Sequence, residues 1–190
     1  MPLKYPELVR ERLLDAATDI LWCEGLAVSV QEICQSAGIS KRTMYQIFTS
    51  KDELLAASVE RQAQAWHREF VTQSWDAYTP RECILDIFAR IERADRRGGR
   101  CGFATFFAVI NALGADHPAA AAARRAIERL RDFFHRRARE AGVSQAEPLV
   151  DQLMLIFSGA SAHARIPEAP GEKTVATHLA RMVLDSAGLH

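Results

Sequence analysis

Residues 29–48 read SVQEICQSAGISKRTMYQIF, and this stretch decides the fold. Ser29 followed three residues later by Glu32 has the pattern of a capping box. The hydroxyl accepts from a first-turn amide while the carboxylate reaches back to the amide of the cap. The helix this opens ends at Gly38, where the chain must turn sharply into a conformation other residues adopt only at a cost. Ser40 then opens a second helix that runs to about Phe48. Ile33 and Ala37 before the glycine, with Ile39 and Met44 after it, close a small core. The spacing predicts a helix-turn-helix, with a preceding helix as its third wall. The second helix is two-faced. Ser40, Lys41, Arg42, Thr43, Tyr45 and Gln46 crowd one side, and Ile39, Met44 and Phe48 the other. A helix built only to pack needs no such density of hydrogen-bonding groups, whereas one that reads another molecule does.

Outward from this segment the helical period continues in both directions. Before it, residues 7–24 form a helix with Leu13, Ala16, Ala17, Ile20 and Leu21 on its apolar face and Gly25 as terminator. After it, Ser50 with Glu53 suggests another capping box and a fourth helix to about Thr72. Pro80 opens a fifth through Ile91, and residues 96–100, RRGGR, break the pattern. Residues 103–113 make a short, nearly all-apolar helix, which implies burial on most sides. Pro118 begins a long seventh helix to Ala141, since proline suits a first helical turn. The last two helices are expected over 148–164 and 174–187, with the loop IPEAPGEK between them. Alternating strand patterns are absent at strand length. The fold class is all-α, about nine helices.

At 190 residues, 48% hydrophobic and 25% charged, the chain has enough apolar material for a real core. No run approaches the ~20 apolar residues of a membrane span, and residues 1–17 lack the layout of a signal peptide. The expected compartment is the cytoplasm. The formal net charge is zero, which argues against a polyanion binder with charge over its whole surface. A local patch is still present: between Glu32 and Asp52 there is no acid, while Lys41, Arg42 and Lys51 fall in that interval.

Cys23, Cys34, Cys83 and Cys101 include no C-x-x-C pair, and no histidine pair stands at ligand spacing nearby, so neither a metal nor a cofactor is expected. Reduced, mostly buried thiols are the plain reading. Cys101 follows the basic RRGGR stretch, a setting that favours thiolate, so a redox-sensing role stands beside it. No nucleophile–base pair, phosphate-cradling glycine loop or metal cluster points to an enzyme. The sequence FSGAS, 157–161, lacks the strand-turn-helix setting of a nucleophile elbow.

Residues 7–67 resemble the DNA-binding domain of the TetR family of transcriptional regulators. The resemblance is carried by RERLLDAATDIL, by SVQEICQSAGISKRTMYQIFTSKDELL, and by the order Ala37-Gly38-Ile39-Ser40 followed by Tyr45, Phe48, Lys51 and Leu54. Ser29 replaces the usual threonine and keeps the cap; Cys34 stands where alanine is usual, and Arg42 where a small residue is frequent. Residues 75–190 resemble the family only in helix count and layout.

The resemblance implies an N-terminal DNA-binding domain over 7–67, with the helix-turn-helix at 29–48, and a C-terminal effector-binding and dimerisation domain over 68–190. Lys41, Arg42 and Lys51 are cations suited to phosphates, and Ser29 and Gln31 can add neutral hydrogen bonds to the backbone. Arg42, Thr43 and Gln46 are the expected base readers: arginine matches guanine, glutamine matches adenine, and threonine offers its methyl to thymine or its hydroxyl to a phosphate. Ser40, Lys41, Tyr45 and Lys51 are the expected positioners. The family's dimer is formed by the last two helices, where Gly159, Ala160 and Ala162 permit close approach. Intramolecular packing explains those small residues equally well.

An effector pocket is expected from Trp66, His67, Phe70, Phe103, Phe106, Phe107, Asn111 and Phe157, with aromatic walls and a few polar groups. Asn111, in a very apolar helix, is the leading polar candidate, because a buried amide needs a partner. Plain core packing is the competing reading for each aromatic residue. The arginines of the seventh helix read best as a solvated face with acids interspersed. The implied function is a ligand-responsive regulator, most simply a repressor, binding a near-palindromic operator as a homodimer and released by an apolar or aromatic small molecule. A redox-responsive regulator acting through Cys101 or Cys83 is the alternative, and an enzyme a distant one.

Overall fold

The computed structural model describes residues 5–23, 27–71, 77–96, 102–163 and 175–189. Among the described residues the chain forms nine helices and no strand. They are α1 (Pro6–Cys23), α2 (Val30–Ala37), α3 (Lys41–Ile47), α4 (Lys51–Phe70), α5 (Pro80–Arg96), α6 (Gly102–Leu113), α7 (Pro118–Glu140), α8 (Ala146–His163) and α9 (Val175–Ser186). The all-α expectation holds. The expected terminator Gly25, the RGGR stretch 97–100, Cys101 and the loop 166–173 lie outside the described residues, as do the side chains of Trp22 and Cys23.

Local chemistry sets most of the boundaries. Ser29 and Glu32 close the predicted box: the Ser29 amide donates to Glu32 Oε2 at 2.6 Å and the Glu32 amide to Ser29 Oγ at 3.2 Å. The box predicted for α4 closes only by half. The Glu53 amide donates to Ser50 Oγ at 3.1 Å, but the Glu53 carboxylate takes the amide and hydroxyl of Thr49, each at 2.6 Å. Thr49 supplies two donors together, which outcompete the single amide of Ser50. A further box stands at α5, where the Thr79 amide donates to Glu82 Oε2 at 2.8 Å and the Glu82 amide to Thr79 Oγ1 at 3.2 Å. α8 begins two residues before Pro148, which sits within the first turn, where a missing N–H costs nothing.

The chain divides into two compact units, Met1–Ala65 with Thr105–Ala126, and Trp66–Ala104 with Ile127–His190. The division falls within α4, α6 and α7, so Thr105–Ala126 joins the N-terminal helices rather than the segment beyond residue 67. The first unit is built on Leu13, Leu14, Ala17 and Leu21 of α1, Ile33 of α2, Met44 of α3, Phe48, and Leu54 and Leu55 of α4, all nearly or fully buried. The core of the second unit includes Ile84, Ile87 and Phe88 of α5, Leu130, Phe133 and Phe134 of α7, Leu153 and Phe157 of α8, and Ala180 and Leu184 of α9.

Candidate nucleic-acid interface and effector region

Gly38 makes the turn between α2 and α3. It adopts φ 62°, ψ 37°, the left-handed region that an L side chain resists. Its amide donates to the Gln35 carbonyl at 3.1 Å and the Ile39 amide to the Cys34 carbonyl at 2.9 Å, so the end of α2 is closed by two backbone bonds. A third partner comes from α1: Arg12 Nη2 donates to the Ala37 carbonyl at 2.6 Å. A Cβ added to Gly38 would stand 2.8 Å from that same nitrogen. Arg12 had no signal in the sequence beyond its place on an amphipathic helix.

Ser40 caps α3, accepting from the Thr43 amide at 3.1 Å, and its hydroxyl pairs with that of Thr43 at 2.9 Å. One hydroxyl proton satisfies that pair, and the other remains available to an outside acceptor. Met44 is fully buried and Phe48 nearly so, with Ile39 and Ile47 half-buried. These side chains fix the roll of α3. Lys41, Arg42, Tyr45 and Gln46 are consequently exposed, and Thr43 is half-buried. Tyr45 is 52% exposed, which for a tyrosine on a packed helix marks a side chain left over by the core.

The other expected contacts gather beside this face. Lys41 Nζ donates to Gln31 Oε1 at 3.3 Å, tying the first turn of α3 to the first turn of α2. Lys51, half-buried, is the first residue of α4. Glu32 is held below the ordinary carboxylate range by the Ser29 amide first, then the Ser29 hydroxyl, with a smaller pull from Lys51. That acid is engaged by its cap, and Lys41 and Arg42 stand exposed beside it. Behind them Arg61 of α4 clamps α1, its Nη1 3.1 Å from Glu11 and its Nη2 2.7 Å from Asp15. Arg10 lies over the Phe48 ring at 5.5 Å.

The family model of bacterial regulatory proteins of the tetR family matches residues 13–58. A solved structure from Streptomyces avermitilis, described as a tetR transcriptional regulator, is 37% identical; the match covers 96% of this chain and 99% of that one, with a TM-score of 0.84. The chain belongs to the TetR family. Two curated relatives agree over shorter stretches. An uncharacterized HTH-type transcriptional regulator of Mycobacterium tuberculosis is 34% identical over 80 residues, 42% of this chain and 40% of that protein. The HTH-type transcriptional regulator BetI of Rhizobium meliloti is 34% identical over 98 residues, 50% of this chain and 48% of that protein. The chain thus spans about half or less of the length of the curated relatives it matches. As a TetR-family member it is a DNA-binding transcriptional regulator with an N-terminal helix-turn-helix and a C-terminal helical domain.

The residues expected to line an effector pocket divide between the two units. In the second unit Trp66 stacks on Phe70 at 4.8 Å between centroids, tilts against Phe103 at 4.8 Å and meets Phe157 edge-on at 5.8 Å. Phe103 and Phe157 meet edge-on at 4.5 Å. All four rings are buried. His67, the neighbour of Trp66, is half-buried; burial first, then Arg129 and Arg136, push its imidazole below the ordinary range, toward the neutral form. In the first unit Phe106 is buried and Phe107 half-buried. Asn111 is exposed, so the argument from a buried amide fails for it: the apolar composition of α6 does not put every side of that helix inside. Among the described residues, a depression of about 440 Å³ at the α7–α8 turn, lined in part by His135, Glu147 and Pro148, contains none of the expected pocket residues.

The arginines of α7 are largely committed. Arg125 is 3.3 Å from Glu60, Arg131 pairs with Glu147 and lies 2.7 Å from Asp151, and Arg137 is 2.9 Å from Glu140. Cys83 is fully buried, and burial pushes its thiol up against the opposing pull of Arg137. That is the reverse of the exposed thiolate a sensor needs. Cys34 is likewise buried, with its thiol pushed up by burial. On α8 and α9, Leu155, Val175, Leu179 and Met182 are 75%, 60%, 43% and 55% exposed. Gly159 and Ala162 share the exposed side of α8, and an added Cβ at Gly159 would meet nothing within 4 Å.

Proposed function

We propose that this protein is a homodimeric, effector-responsive repressor that binds a near-palindromic operator in the cytoplasm and is released from it by a small molecule. The observation that carries the DNA reading is the α3 face. Arg42, Tyr45 and Gln46 are exposed on a helix whose roll is fixed by buried Met44 and Phe48 and whose start is fixed by Ser40. Arg42, Thr43 and Gln46 read bases; Ser29, Gln31, Ser40, Lys41, Tyr45 and Lys51 hold phosphates. The Lys41–Gln31 contact supports this division, since it presents two backbone-directed groups from adjacent helix starts as one patch. α3 enters the major groove by its N-terminal half.

A single reading helix covers too few base pairs, and two of them span half-sites about one helical turn apart, ~34 Å. The exposed apolar stripe Val175, Leu179 and Met182, at spacings of four and three residues on α9, supports a dimer through α8 and α9 together with Leu155 and Gly159. α4 carries Lys51 in its first turn and Trp66 in its last, so an effector at the aromatic cluster biases the helix that anchors the DNA-binding residues. The effector must favour the released state by its coupling free energy, typically ~1–3 kcal/mol. No catalytic turnover is part of this reading, and burial of Cys83 gives a redox role through that residue no support.

Selection of binding sites from random duplex DNA at two salt concentrations tests the proposal. An enriched palindrome is expected. Weak, salt-sensitive binding without enrichment would refute the assignment of α3 as a base reader.

A further inference from the structure

Three helical hydroxyls of this protein satisfy themselves in the same way. Thr18 donates to the Leu14 carbonyl at 2.6 Å, Ser58 to Leu54 at 2.9 Å and Ser158 to Met154 at 2.7 Å, each four residues back. Ser161 departs from this. It is fully buried on α8, and among the described residues its Oγ has no hydrogen-bond partner. It stands one turn beyond Phe157, the ring that meets Trp66 edge-on at 5.8 Å. Trp66 is 6% exposed, and its Nε1 is also buried without a partner among the described residues. Two orphaned polar atoms therefore lie in the second unit, one on the Trp66 ring of the aromatic cluster and one a helical turn beyond Phe157. Buried polar groups are rarely left so, because each forfeits its hydration without return.

We infer that Trp66 Nε1, on a ring packed against Phe70, Phe103 and Phe157, and Ser161 Oγ, one turn beyond Phe157, are the recognition groups for a neutral aromatic effector that carries a hydrogen-bond acceptor such as a carbonyl oxygen. This rests on the proposed effector role of that cluster and specifies its chemistry. The indole N–H is a donor only, so the ligand atom opposite it must accept. Ser161 can donate to a ligand oxygen or accept from a ligand hydroxyl. The walls are aromatic rings, which favour a ring-bearing ligand. A carboxylate is disfavoured: one indole N–H and one hydroxyl do not replace its hydration in a buried site. The two orphans are then a cost borne by the ligand-free protein and recovered on binding, which favours the correct ligand over an isosteric hydrocarbon.

The test uses the full-length protein and three probes of equal ring content: benzophenone, diphenylmethane and diphenylacetate. Their dissociation constants are measured by calorimetry on wild type, Trp66→Phe and Ser161→Ala. Benzophenone is expected to bind about tenfold more tightly than diphenylmethane, the value of one hydrogen bond to a waiting donor. Trp66→Phe is expected to bring that ratio near one while leaving diphenylmethane binding in place. Ser161→Ala provides a readout without ligand. Removing an unpartnered hydroxyl is expected to raise the melting temperature by about 2–4 °C, the shift of a modest gain in a chain of this size. Equal affinity of wild type for benzophenone and diphenylmethane would overturn the acceptor and leave the cluster as an apolar site. Tightest binding of diphenylacetate would overturn neutrality. Binding of no probe, or a lowered melting temperature in Ser161→Ala, would overturn the site itself. None of these readouts involves an operator, so failure here is separable from failure of the DNA-binding proposal.

Discussion

Gly38→Ala offers the sharpest test of how the two helices of the DNA-binding motif are joined. At φ 62° an alanine pays ~1–2 kcal/mol for the left-handed conformation. The new Cβ lies 2.8 Å from Arg12 Nη2. The guanidinium is the end of a flexible chain and can withdraw, but withdrawal breaks its bond to the Ala37 carbonyl, worth about 0.5–1.5 kcal/mol at a part-buried site. Against this, alanine narrows the unfolded ensemble by roughly 0.4–1 kcal/mol. The net loss is about 2 kcal/mol, or roughly 4–8 °C in melting temperature for a chain of this size. The decisive assay is a double-mutant cycle with Arg12→Ala, followed by thermal or urea unfolding. If Gly38→Ala already breaks the Arg12 bond, the double variant loses about 1 kcal/mol less than the sum of the singles. Strict additivity, or a Gly38→Ala variant within ~0.5 kcal/mol of wild type, would refute the argument.

At the interface, Arg42→Ala should cost about 1–3 kcal/mol and blur preference at one base pair, whereas Lys51→Ala should weaken all sequences alike and flatten the salt slope by about one unit; binding titrations over a salt series on selected and scrambled duplexes separate the two. Met182→Glu should abolish the dimer and with it operator binding, as read by sedimentation, while leaving the melting of the monomer nearly unchanged. Glu92 of α5 accepts the amide of Thr177 at 3.0 Å and its hydroxyl at 2.6 Å, satisfying the start of α9 from another helix. Glu92→Ala should therefore cost about 2 kcal/mol, by the value of charge-assisted bonds, with loss of amide-exchange protection concentrated in the first turn of α9. The Glu53 carboxyl is held below its ordinary range, first by the Thr49 hydroxyl and then by its amide. A depressed carboxyl contributes stability above its unfolded pKa and loses it as pH falls through the folded one. Wild type and Glu53→Gln should therefore differ at neutral pH and converge in acid; a constant gap across the titration would contradict this.

Much of the DNA-binding unit was legible because its rules act over three or four residues. Ser29 with Glu32, Gly38, and Ser40 before a two-faced helix each state a cap, a turn or a roll in local terms, and those three features behave as read. Locality also explains the lapse at Ser50. Two adjacent hydroxyl residues competed for Glu53, and only the geometry decided that Thr49 took its carboxylate. The T-x-x-E pattern at Thr79–Glu82 is equally local and equally readable. Asn111 was misjudged because composition reports how apolar α6 is and not which side of it meets water.

The sequence by itself determined an all-helical chain, the helix-turn-helix and the exposed polar face of α3. Those properties follow from spacing along one helix, where side chains three and four residues apart share a side wherever the helix is placed. Tertiary structure alone decided what depends on residues far apart in the chain. Arg12 reaches Ala37 across 25 residues and Glu92 reaches Thr177 across 85. Only packing gathers Trp66, Phe70, Phe103 and Phe157 into one cluster, leaves Ser161 and the Trp66 indole without partners, and turns Leu155 and Met182 outward. Each of these is a meeting, or a missed meeting, of separate helices. The apolar period of each helix says that it will be buried but not against what.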